Sequence, residues 1–285
     1  MRYVFAMTVC TAAIFLWFYP DETVGPAIIT ASDRMLSDIG LGIEYESSRW
    51  KVGVLGTHHM ILVAGALSFN SLAVSQLTLA LRDNPAASTY DIASLYGSIV
   101  SKLAFERAFK RILSPLGVQA DTHNGLKGIE GLNLDSSLLL QLSDQMQAET
   151  IDCEAIIVGC DARECSLFRV DSRGIVARHD DIGFVSIGTG GIHASGYLMQ
   201  EPYDHRTGFN EALLTVFLAK KRAELAPGVG RETDMFFVNG DGVNKVDERI
   251  MGSLERCASD IQKSKKSQLK RLTKRIASTF AGLKN

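Results

Sequence analysis

The stretch MTVCTAAIFLWFYPDETVGPAIITASD, Met7 to Asp33, decides how the rest of the chain is read. It contains two apolar strand runs, Val9 to Trp17 and Ala27 to Ala31, joined by the turn-rich piece from Tyr19 to Pro26, so a hairpin is the economical local structure. Thr8 opens the first strand. If the chain starts at Met7, or if residues 1–7 are clipped, Thr8 becomes the first residue and carries a hydroxyl and a free α-amine together. An α-amine has an ordinary pKa of about 7.7 to 8, so near neutral pH it accepts the hydroxyl's proton directly or through a water. One residue then supplies both nucleophile and base.

With 285 residues and 46% hydrophobic content, the chain can bury one sizeable core, and nothing in its composition demands two. The formal net charge of -2 hides an asymmetry: the last 25 residues hold eight Lys/Arg and no Asp/Glu. Basic character is therefore local. Cys10, Cys153, Cys160, Cys165 and Cys257 are odd in number and lack CxxC spacing, which supports neither a disulfide framework nor a zinc ribbon and fits a reducing cytoplasm. Arg2 followed by the uncharged run Tyr3 to Tyr19 resembles a signal-peptide core or a membrane anchor. Against export, no convincing small-residue cleavage site precedes Pro20, and removal of the run would delete the hairpin's first strand. The expectation is a cytoplasmic protein with no membrane association.

Further along, Lys51 to Ala66 reads as a short strand, a turn at Gly56-Thr57 and a buried strand from Met60 to Ala64. Ser71–Leu81 and Ser88–Leu113 show apolar residues at helical spacing, separated by Asp83-Asn84-Pro85. Pro115 to Asn133 is loop-like, and Leu134–Met146 suits a short helix or a strand edge. Ala155–Gly159, Ser166–Val170, Gly174–Ala177 and Phe184–Ile187 form a second strand block with the turns of an antiparallel meander. A helix over Asn210–Leu225 and a strand over Asp234–Val238 follow. Runs of like elements suggest two sheets packed face to face with helices outside, an α+β sandwich. From Val246 onward, Ile250, Leu254, Ile261, Leu269, Leu272, Ile276, Phe280 and Leu283 mark an apolar stripe on a basic helix, with a break expected near Lys263–Lys266.

Thr8-Val-Cys10, Ile28-Ile-Thr-Ala-Ser-Asp33-Arg34, Lys51 and Ile61-Leu-Val-Ala-Gly65, taken together, resemble the proteasome-type N-terminal nucleophile hydrolases, in their bacterial β-like branch, over most of the chain to about residue 240. The resemblance implies a four-layer αββα fold of two antiparallel sheets over residues 8–243, preceded by a propeptide or a mis-assigned start over 1–7 and followed by the basic helical extension over 244–285. It implies that Thr8 attacks an amide carbonyl, that Asp33 and Lys51 set the electrostatics, and that the Gly65 N–H binds the oxyanion. Val63, two residues before Gly65, becomes a wall of the substrate side-chain pocket. Gly188-Thr189-Gly-Gly191 resembles the family's Gly-Ser-Gly element, with Thr189 retaining a hydroxyl. Glu224 stands where the family places an aspartate. Self-association into a ring or stacked assembly and a peptide or protein substrate are implied, without metal or organic cofactor.

There are departures. Pro227 supplies no hydroxyl where the family has a serine, the Trp17–Val24 connection is longer than the pattern's, and Arg49 lies nearer to Asp33 than Lys51 does. Single residues also admit plainer readings. Asp33 suits a turn, Gly65 a strand end, and His58-His59 a solvated turn rather than a metal site, since no partner falls at ligand spacing. Gly188–Gly191 lacks both the Gly-Lys-Ser/Thr ending and GxGxxG, so no nucleotide is expected. Cys10 shares Thr8's strand face and packs. The basic helix lacks interleaved aromatics, so no nucleic acid is expected. The rival functions are a catalytically silent scaffold subunit, a protein tethered to membrane by residues 3–20, and a small-molecule amidase.

Overall fold

The computed structural model describes residues 8–38, 43–46, 51–121, 125–127, 135–161, 164–201 and 203–282. Residues Met1–Met7, expected to form a removable leader, and Arg49 lie outside the described residues. The chain divides into two units, Met1–Asn244 and Lys245–Asn285.

In the first unit, β1 (Cys10–Phe18) and β2 (Val24–Asp33) form the expected hairpin, paired from Cys10 opposite Ser32 to Phe18 opposite Val24. The connection is shorter than the sequence suggested, because Val24 to Pro26 belong to the strand. The Tyr19–Thr23 loop closes with Tyr19 N–H on the Thr23 carbonyl at 2.9 Å, while Asp21 Oδ1 accepts from the Thr23 N–H at 3.2 Å. Pro26 is tolerated because β2's second neighbour begins only at Ile28, so no ladder bond is lost on that side.

There follow β3 (Met35–Asp38), β4 (Ile43–Glu46), β5 (Val52–Val54) and β6 (His59–Gly65). Helices α1 (Leu67–Asp83) and α2 (Thr89–Ala108) are separated at Asn84-Pro85, and α2 opens on a Ser88/Asp91 capping box. After a wide π-helical turn over Phe109–Leu113 and a tight 3-10 turn over Ser114–Leu116, β7 (Gln119–Asp121) pairs β8 (Gly125–Lys127), and α3 (Ser136–Ala148) is a helix capped by Asp135. The remainder is β9 (Cys153–Asp161), β10 (Glu164–Val170), β11 (Val176–Arg178), β12 (Phe184–Ile187), α4 (Gly191–Gln200), α5 (Phe209–Ala223), β13 (Thr233–Asn239) and β14 (Gly242–Lys245).

Two five-stranded antiparallel sheets result, in the orders β12-β1-β2-β13-β14 and β11-β10-β9-β6-β5, consistent with an α+β sandwich. The expected meander ends at β11; β12 crosses to the other sheet and pairs β1. Helix α4 was not anticipated as a separate element.

One buried cluster draws on both sheets: Cys10, Ala12 and Ile14 of β1, Met60, Leu62 and Ala64 of β6, and Ile156 and Val158 of β9. Intervening residues of the second sheet, Ile61, Ala155 and Ile157, pack instead with Ala73 and Leu77 of α1 and with Ile92, Tyr96 and Val100 of α2. In the first sheet, Phe15 and Trp17 meet Phe209 of α5 at 5.5 and 5.1 Å between ring centroids. Strand β1 is thus covered on both faces, which accounts for a run apolar at nearly every position. That is the physical origin of its likeness to a signal core. Among the described residues no helix is long and apolar enough to cross a membrane.

The structure corrects the reading of the cysteines: Cys160 and Cys165 form a disulfide. They stand directly opposite each other on β9 and β10, so hairpin register brings together two residues that spacing left unpaired. The cysteine argument for a reducing compartment falls with it.

In the second unit, α6 (Glu248–Gly282) is one continuous helix of 35 residues. The expected break near Lys263–Lys266 is absent, since lysine, serine and glutamine are tolerated in helix interiors and no proline occurs there. Its Leu269, Leu272 and Ile276 are each more than half exposed.

Candidate active site

Thr8 immediately precedes β1's neighbour Val9, and Asp33 is the last residue of β2, so the hairpin register brings residues 25 apart side by side. Thr8 Oγ1 donates to Asp33 Oδ1 at 2.6 Å. Lys51, just before β5, extends its Nζ to the same carboxylate oxygen at 2.8 Å and donates to Thr8 Oγ1 as well. All three are buried, at 3%, 0% and 8% exposure for Thr8, Asp33 and Lys51.

Among the described residues five donors fix the Asp33 carboxylate. Besides Thr8 and Lys51, Oδ1 accepts from the Val9 N–H at 3.1 Å, and Oδ2 accepts from the N–H of Gly230 at 2.9 Å and of Met35 at 3.2 Å. A carboxylate buried without such partners is costly; one held by a cation and several N–H groups is tolerated and cannot swing. Directly behind it, Arg34 makes a two-pronged ion pair with buried Asp234, Nε to Oδ2 at 2.7 Å and Nη2 to Oδ1 at 2.6 Å, tying the end of β2 to β13.

The Gly188–Gly191 turn covers the Thr8 backbone. Gly190 N–H donates to the Thr8 carbonyl at 3.0 Å, and Gly188, at φ +79°, packs so tightly there that a Cβ would strike that carbonyl. Glycine is required on both counts. Thr189 is half-buried in the same turn, and Gly188 N–H lies 3.4 Å from Glu154 Oε2.

Gly65 ends β6 at φ +117°, where a Cβ would collide with the Asp152 carbonyl, so a structural reason for glycine exists independently of any oxyanion. Val63 is partly buried and packs toward the α1 and α2 cluster, and its carbonyl accepts from Cys10 Sγ at 3.4 Å. Glu224, just past α5, does not join the Thr8 cluster directly. Its Oε1 is held by Lys220 at 2.7 Å and Lys221 at 3.1 Å.

Lys220 is the residue that sequence reading missed. A signal was present, for it falls on the helix face marked by Leu213, Val216, Phe217 and Ala223, where an apolar residue is expected. It is fully buried, and burial pushes its pKa below the ordinary lysine value, against the opposing pull of Glu224.

Cys10 is buried among apolar side chains, and burial pushes its thiol up to about 12, which removes it as a competing nucleophile. His58 and His59 are half-buried rather than solvated, and His59 Nε2 lies 2.8 Å from Asp161 Oδ1. Among the described residues no group of His, Cys, Asp and Glu is arranged to hold a metal ion.

The chain matches no known protein family, in whole or in part, and no curated protein.

Proposed function

We propose that the chain is a proteasome-type threonine hydrolase with a four-layer αββα core, which cleaves amide bonds in peptides once residues 1–7 are removed. The observation that carries this reading is the convergence of the Asp33 carboxylate and the Lys51 ammonium on one buried hydroxyl, Thr8 Oγ1. Lys51 offers positive charge to the oxygen that must become an alkoxide, and Asp33 holds that charge in place.

In the mature chain Thr8 Oγ1 attacks the substrate carbonyl while its own α-amine takes the proton. The Gly65 N–H receives the developing oxyanion. Collapse breaks the C–N bond, the ammonium returns its proton to the leaving amine, and an ester on Thr8 remains. Water, deprotonated by the same amine, hydrolyses that ester and restores the hydroxyl. Val63 borders the pocket for the residue preceding the scissile bond, and Thr189 contributes a hydroxyl beside Thr8. Copies of the chain assemble with one another.

Intact-mass measurement on purified protein tests this. The expected spectrum begins at Thr8 and gains the full mass of a peptide epoxyketone, a reagent that needs a hydroxyl and an amine on one residue. A second reading, a catalytically silent scaffold, draws on the commitment of Glu224 to Lys220 and on Pro227. It predicts a retained leader and no adduct.

A further inference from the structure

Lys220 carries a charge into the protein interior, where burial costs several kcal/mol unless every donor is matched. It is matched. An ammonium has three N–H groups, and Nζ meets three acceptors: Glu224 Oε1 at 2.7 Å, Gly230 O at 2.8 Å and Arg231 O at 2.9 Å. Two of these are backbone carbonyls of the segment that leads from α5 into β13. The N–H of Gly230 points the other way and donates to Asp33 Oδ2 at 2.9 Å. One residue therefore has its carbonyl gripped by Lys220 and its amide gripping the carboxylate that holds Lys51 and Thr8.

We propose that Lys220 is a positioning residue, which sets the orientation of the Asp33 carboxylate by fixing Gly230 between its own ammonium and Asp33 Oδ2. The inference rests on the hydrolase reading above and extends it to a residue that touches neither Thr8 nor substrate. Without Lys220, the carbonyls of Gly230 and Arg231 lose their buried cation. Asp33 Oδ2 then depends on the longer Met35 bond, 3.2 Å, and the carboxylate is free to turn away from Lys51.

The grip depends on protonation. A neutral amine has two N–H groups and leaves one of the three acceptors unmet. The charged groups facing Lys220 are Glu224 and Lys221 from the end of α5 and Asp33 from β2; burial and Lys221 favour proton loss, while Glu224 and Asp33 oppose it. Alkaline pH should therefore loosen Gly230 before the fold is lost.

The test uses the full chain and its maturation product, with Lys220→Met and Glu224→Gln beside wild type and Thr8→Ala. The rate of epoxyketone adduct formation is followed by intact mass from mildly acid to alkaline pH, together with exchange protection of the Gly230 amide. Expected for Lys220→Met is a rate lower by about 10- to 100-fold at saturating reagent, half-saturation changed by less than about twofold, loss of the wild-type alkaline limb, and faster exchange at Gly230. Glu224→Gln, which keeps the lysine and both carbonyl bonds, is expected to fall between the two and carries the test if Lys220→Met does not fold. A wild-type rate and pH profile in both variants, with Thr8→Ala unreactive, overturns the inference and leaves the hydrolase reading standing. A wild-type chain that begins at Thr8, is folded, and forms no adduct overturns the hydrolase reading itself.

Discussion

Among the described residues the same three chemical groups, a threonine hydroxyl, an aspartate and a cation-forming side chain, meet at two places. At one place Thr8, Asp33 and Lys51 converge; at the other Thr89 Oγ1 donates to Asp161 Oδ2 at 2.6 Å while His59 Nε2 lies 2.8 Å from Asp161 Oδ1. The surroundings separate them. Asp161 also accepts the Thr89 N–H at 3.0 Å, inside the first turn of α2, and its side chain is 43% exposed. That aspartate satisfies a helix N-terminus. Asp33 is fully buried, accepts from Thr8 and Val9 just before β1 and from Gly230, and holds its cation against the threonine oxygen itself. Residue type alone does not make a site; what matters is whether the cation reaches the hydroxyl and whether the threonine can expose an amine.

Exchanging the two threonines gives the largest contrast. Thr8→Ala is expected to lower epoxyketone adduct formation by at least about a thousandfold, whereas Thr89→Ala leaves the rate unchanged and costs about 1 kcal/mol of stability. Rates by mass spectrometry and denaturant midpoints read the two effects separately. An unaltered rate in Thr8→Ala would erase the distinction between the clusters.

Removing the cation comes next. Lys51→Met leaves Asp33 buried with its hydrogen bonds but no ammonium, so stability is expected to fall by about 3 to 5 kcal/mol, with adduct formation slowed by about a hundredfold. Urea unfolding measures the first quantity. A variant as stable as wild type would mean that the Lys51 ammonium adds nothing net to holding the Asp33 carboxylate. Gly65→Ala is expected to cost about 1 to 3 kcal/mol through its φ of +117° and the collision with the Asp152 carbonyl, seen as a lower denaturation midpoint.

Much of this contrast was legible before the fold was known, and the remainder was not for identifiable reasons. The hairpin, the α1 and α2 pair and the β5–β6 pair follow from local periodicity and from Gly and Pro punctuation. The crossing of β12 into the first sheet does not, because a four-residue strand carries no mark of which sheet it joins. Helix α4 was obscured by the glycines at its start and by Gly196 within it. The Cys160–Cys165 bond depends on the register of a hairpin, which cysteine spacing does not encode. Thr8, Asp33 and Lys51 were singled out by resemblance; no spacing rule places residues 8 and 51 together. Lys220 was open to inspection throughout, as a charge at a core-facing helical position.

The smallest expected effect belongs to Asp161→Asn and tests whether the second cluster is structural alone. Burial by itself would raise the Asp161 pKa, but the two Thr89 donors and the neighbouring His59 outweigh it and hold the carboxyl below the usual aspartate range. A depressed folded-state pKa stabilises the protein above the unfolded aspartate value of about 3.9, and the contribution disappears as pH falls through the folded value. Asparagine keeps one oxygen for Thr89 but has no charge to lose. The variant should therefore be less stable than wild type by about 1 kcal/mol at neutral pH, with the gap closing in acid. Adduct formation at Thr8 should proceed at the wild-type rate, because among the described residues Asp161 shares no hydrogen bond with the Thr8 cluster. A gap that persists in acid would show that Asp161 stabilises by shape rather than by charge, and a slowed reaction would show that the two clusters are coupled through β6 and β9.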